Sequence, residues 1–131
     1  MQMVSVLKSI FGGLVTVGGY LLGARDGMIM ALLAMIIIDF ISGVIVAIAR
    51  RELDSRVMYM GGIKKVGILS IVAVGNILDV VLELGGMLRT LTISYFIANE
   101  GISLLENWSK IGLPVPEKLK RVLKQLRDDV E

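Results

Sequence analysis

The chain has 131 residues, 55% of them hydrophobic, with no Cys, no His and a formal net charge of +2. Its mean hydropathy of +0.78 lies far above that of an ordinary soluble domain. This composition excludes disulfides, thiolate and histidine chemistry and the common zinc sites, and so small a charge does not point to nucleic acid.

Nearly all the charge sits in a few short stretches, so the surfaces between them would have no polar cover in water. The fold expected is therefore an all-α integral membrane protein. It would be a small bundle of about four hydrophobic helices, with segments at about 4–22, 27–49, 66–84 and 88–105, followed by a C-terminal amphipathic helix. Residues 1–107 would form the transmembrane domain, and 108–131 a Pro-containing linker and basic tail.

The first segment is about Val4 to Leu22; its effective apolar part, from Ile10, follows Lys8 and has the look of a signal-peptide start. A turn, Gly23-Ala24-Arg25-Asp26-Gly27, and a second full span come next in place of a mature soluble domain, which argues against cleavage. The segment is glycine-rich. Gly12, Gly13, Gly19 and Gly23, with Gly43 in the second segment, are candidates for close helix packing in lipid.

Gly27 to Ala49 is the purest apolar run. At ~1.5 Å per residue it is long enough for ~30 Å of hydrocarbon. Asp39 stands near its middle, where an acid costs ~2.5–3.5 kcal/mol toward lipid, so it should face protein or water. Ser42 and Gly43 follow one turn later.

The connection Arg50 to Lys65 carries five basic residues (Arg50, Arg51, Arg56, Lys64 and Lys65) against Glu52 and Asp54. By the positive-inside rule it is expected in the cytoplasm. Four crossings then place both termini there; three crossings plus a re-entrant or interfacial segment is the alternative.

In the third segment Asn76, Asp79 and Glu83 share one helix face, and in the fourth Asn99, Glu100 and Ser103 mark a polar patch. Three helices thus carry acidic stripes. Two readings stay open: internal pairing, for instance Arg89 with Glu83, or lining of water by Asp39, Ser42, Asn76, Asp79, Glu83, Asn99, Glu100 and Ser103. A wet path of any size implies several copies, because four helices make a thin wall.

Gly112-Leu113-Pro114-Val115-Pro116 should end the fourth helix. A short helix from Pro116 to Leu126 or slightly beyond would set Leu119, Val122, Leu123 and Leu126 on one stripe. Lys118, Lys120, Arg121 and Lys124 project elsewhere. It suits anionic lipid, a neighbouring copy, or a simple solubilising cap. No nucleophile motif, phosphate loop or metal cluster accompanies these residues, so no enzyme and no cofactor is expected.

The arrangement resembles the phage lysis and toxin-secretion holin family, the group containing clostridial toxin-release holins. The resemblance rests on Leu22-Gly23 and Asp26-Gly27 before Asp39-Phe40-Ile41-Ser42-Gly43-Val44, and on Gly61-Gly62-Ile63-Lys64-Lys65. It continues through Leu88-Arg89-Thr90, Tyr95 to Ser103 with its Ile97-Ala98-Asn99-Glu100-Gly101 core, and Glu106-Asn107 before Gly112 to Leu119. It covers almost the whole chain, and it implies a homo-oligomer in the bacterial cytoplasmic membrane. Such an assembly opens a timed lesion for a wall-degrading (muralytic) enzyme or a toxin, with no direct contact required. Competing expectations are a small proton- or cation-coupled transporter or channel, and a structural membrane adaptor.

Overall fold

A computed structural model describes residues 1–131 as five α-helices and no strands. They are α1 (Gln2–Leu22), α2 (Gly27–Ala49), α3 (Ser55–Val81), α4 (Met87–Ser109) and α5 (Glu117–Val130). The first three are long and apolar enough to cross a membrane. α4 is 23 residues long but less apolar, with Arg89, Glu100 and Glu106 in it.

Capping fixes the boundaries that hydropathy alone leaves vague. Asp26 takes an extended backbone and its carboxylate accepts from Ile29 N at 3.1 Å, starting α2. Asp54 does the same for α3, accepting from Arg56 N at 2.8 Å. That cap starts α3 eleven residues before the expected Val66, so most of the presumed Arg50–Lys65 connection is helix and only Arg50–Asp54 forms the turn. The charges of Arg56, Lys64 and Lys65 conceal this first stretch from a hydropathy reading.

The other end of α3 also differs. The helix stops at Val81, and Glu83 takes a left-handed conformation with φ 54° in the turn that follows. Glu83 is exposed there and does not continue the Asn76–Asp79 face.

α4 is the central element, packed against α2, α3 and α5, while α1 rests chiefly on α3. The inward faces follow helical spacing. α2 buries Ile29, Leu32, Ile36, Asp39, Ser42 and Val46; α3 buries Ile68, Val72, Gly75 and Asp79. Ile29, Leu32, Ile36, Ile68, Val72 and Ile93 form one apolar core cluster, with Leu32, Val72 and Ile93 fully enclosed. Polar layers sit on both sides of it. Hydrocarbon gives apolar side chains little reason to prefer protein over lipid, so the polar layers do much to select this packing.

The tail is not detached from the bundle. α5 folds back along α4 so closely that a Cβ placed on Gly101 would lie 3.0 Å from a Leu123 methyl. Leu119 and Val122, expected on the same stripe as Leu123, remain exposed.

Candidate functional site: two buried charge networks

The first network lies at the mid-length of three helices. Lys65 of α3 projects its Nζ between the carboxylates of Asp39 in α2 and Glu100 in α4, bonding to both. Asp39 and Glu100 are only 5% and 4% exposed. The second Asp39 oxygen accepts from Asn107 Nδ2 at 3.0 Å, and Asn107 also reaches Ser42 Oγ at 3.0 Å. Ser42 Oγ in turn donates to the Asp39 carbonyl at 2.9 Å.

Two carboxylates and one ammonium therefore share a single locus between the helices. Each alone would be costly at this depth, on the order of 3 kcal/mol toward lipid. Pairing offsets part of that cost, one cation serving two acids. Lys65 was expected to mark topology with Arg50, Arg51, Arg56 and Lys64; its side chain instead turns inward and is 19% exposed.

The second network ties the opposite helix ends. Arg89, at the start of α4, bonds through Nη1 to Asp26 Oδ2 at 2.8 Å. Its Nε donates to the Leu22 carbonyl at 2.6 Å and its Nη2 to the Ala24 carbonyl at 2.8 Å. One guanidinium thus satisfies the end of α1 and the turn into α2, using the fixed fork of donors that Lys lacks. Its acidic partner is Asp26 and not Glu83. The Arg89 guanidinium, together with the Ile29 amide, lowers the Asp26 pKa from 3.8 to about 2.

Asp79 completes this layer by accepting from Leu88 N at 2.9 Å and Arg89 N at 2.7 Å, which caps α4 where Gly86 offers no side chain. Asn76 donates to the Tyr20 and Leu21 carbonyls at 3.2 and 3.0 Å. Gly23 has φ +84°, and a Cβ there would meet Asn76 Oδ1 at 2.5 Å and Arg89 Nε at 2.7 Å. Every buried side-chain nitrogen and oxygen has a hydrogen-bond partner.

The residues expected to line water are thus distributed unevenly. Asp39 and Ser103, with Lys65 and Asn107, border a cavity of about 410 Å³ that extends to Glu52 and Asp54 at the α2–α3 turn. Asp79 and Asn76 serve helix ends, and Glu83 is outside the bundle. Of the proposed packing glycines, Gly43 lies 3.6 Å from Asn107 by its would-be Cβ, whereas Gly12, Gly13 and Gly19 have open space around them. The basic residues Arg50, Arg51, Arg56, Lys118, Arg121 and Lys124 are exposed.

Helix length, apolar surface and buried charge pairing define a small helical membrane protein. Residues 16–128 match the bacteriophage holin family, and the chain belongs to that family. An uncharacterized 14.9 kDa protein of Clostridium perfringens is 40% identical over 96% of this chain and 98% of its own. A probable holin of Bacillus phage phi105 is 37% identical over 75% of this chain and 73% of its own. An uncharacterized Listeria innocua protein is 36% identical over 90% and 84%. No solved structure matches the chain.

Proposed function

We propose that this protein is a holin that accumulates in the bacterial cytoplasmic membrane, self-associates and opens a timed lesion. Through that lesion a wall-degrading enzyme or a toxin leaves the cell, without binding the holin directly. The match to the holin family over residues 16–128 carries this reading. The protein acts by permeabilising, not by catalysis, and needs no cofactor.

The charge networks suit such a life. A monomer whose Asp39 and Glu100 are paired internally inserts without exposing those acids to lipid. Apolar α1, α2 and α3 surfaces remain outward for lipid and for other copies. Gly12, Gly13 and Gly19, where an added Cβ would meet nothing within one copy, are kept as candidates for contacts between copies. The α2–α3 turn with Arg50 and Arg51 faces the cytoplasm in this reading, as do the N-terminus and the Gly112–Pro116 linker from which α5 folds back along α4. Lys118, at the start of α5, is available there to anionic lipid.

Release of a small dye and of a labelled protein from liposomes tests the proposal. A threshold in protein-to-lipid ratio, with both cargoes released above it, is expected. The cavity that joins the α2–α3 turn to Asp39 and Lys65 favours a second reading, a small-cation or proton path. Saturable ion flux without protein release would select it.

A further inference from the structure

α5 combines two features that conflict in lipid. Leu123 seats on Gly101, the neighbour of Glu100, and Glu100 joins Asp39 near the middle of α2. α5 therefore lies at the depth of the central ion network, packed along α4, which in turn packs on the membrane-spanning α2. Yet its outward side carries Lys118, Arg121, Lys124, Gln125 and Asp128, all exposed.

Fourteen residues at ~1.5 Å each give α5 about 21 Å, so this charged surface extends along much of the bundle and is not confined to one end. Side chains close to the membrane surface escape hydrocarbon by snorkelling; those near mid-depth do not. The other outward surfaces pose no such difficulty: Ile37 and Ile41 of α2 and Val74 of α3 are exposed and apolar. The molecule has an apolar side and a charged one, and α5 is the charged one.

From this we infer that α5, docked on α4, forms the wet wall of the assembly: its charged face turns to the aqueous interior, while α1 to α3 turn to lipid. The ligand of this surface is water with its ions. The exposed edge Leu119, Val122 and Leu126 then meets a second copy of the chain, which separates the charged face from hydrocarbon. The inference rests on the holin reading for its assembly and specifies which helix lines the interior. The acidic residues Asp39 and Glu100 keep their internal partners and hold α4 in place beneath it.

The absence of Cys makes the test direct. The double variant Gly101→Cys/Leu123→Cys in native membranes should form a disulfide within one chain, reporting that α5 is docked. On that locked background, a fluorophore attached through Arg121→Cys, with labelling done after oxidation, should be quenched by aqueous iodide and spared by lipids brominated along their chains. The same fluorophore at Ile41→Cys should show the reverse. In case the cysteine at Gly101 displaces α5, a spin label at Gln125→Cys in the otherwise unaltered chain gives the depth and solvent contact independently. Lipid quenching at Arg121 on the locked background overturns the inference. So does a spin label at Gln125 that reports a position beyond the headgroups. These readouts do not depend on dye release, so a chain that docks α5 but never permeabilises would remove the holin function and leave the placement of α5 standing.

Discussion

Arg89 Nη1 lies 2.8 Å from Asp26 Oδ2, joining the first turn of α4 to the turn between α1 and α2. Because the same guanidinium holds the Leu22 and Ala24 carbonyls, its removal frees several polar groups at once. Arg89→Ala is expected to destabilise the bundle by about 3 kcal/mol, and Arg89→Lys by less, since Lys keeps charge but not the fork. Loss of helicity with increasing SDS in mixed micelles measures both.

The same pair sets an acid limit. Asp26 is held at about 2 in the folded protein against an ordinary 3.8. Its folded pKa is depressed, so its contribution is complete above the unfolded value and is lost as pH falls from about 3.8 toward 2. Asp26→Asn should flatten the stability profile across that window. An unchanged slope would mean that Arg89 does not hold the carboxylate in solution.

The central network predicts non-additivity. Lys65→Met leaves Asp39 and Glu100 facing each other without a cation, and should cost about 3 kcal/mol. The triple variant Lys65→Met/Asp39→Asn/Glu100→Gln removes all three charges and should recover most of that loss. If single and triple variants are equally unstable, charge pairing is not what orders these helices.

Two glycines separate packing within a copy from packing between copies. At Gly75 a Cβ would meet Thr92 Oγ1 at 3.0 Å and the Leu88 carbonyl at 3.3 Å, so Gly75→Leu should force α3 from α4 and cost about 1–3 kcal/mol. A Cβ at Gly13 would meet nothing within 4 Å. Gly13→Leu should leave monomer stability within about 0.5 kcal/mol while reducing chemically cross-linked oligomers.

The apolar helices are the part of this fold most legible in the sequence. Gly27–Ala49 is bounded in the structure as its apolar run suggests, because Asp26 caps it and the Arg50-Arg51 pair follows it. The start of α3 is hidden because basic residues within a helix read like a loop. Choice of partner is harder still. An acid in an apolar run signals that it needs company, but whether Lys65 or Arg89 supplies it depends on which helix ends meet. The Asp39–Lys65 pair spans 26 positions and the Lys65–Glu100 pair 35. Gly101 also carried a signal: a glycine at mid-helix is a place for close approach, although nothing in its spacing names Leu123 as the occupant.

As a holin, the protein should breach a membrane widely enough for a folded enzyme to pass. Membrane potential and culture density after inducible bacterial expression test it, with and without a muralytic enzyme that lacks its own signal. Abrupt depolarisation after a lag, with lysis only when that enzyme is present, is the result expected. Confirmed membrane insertion without depolarisation, or depolarisation that never releases the enzyme, would contradict it.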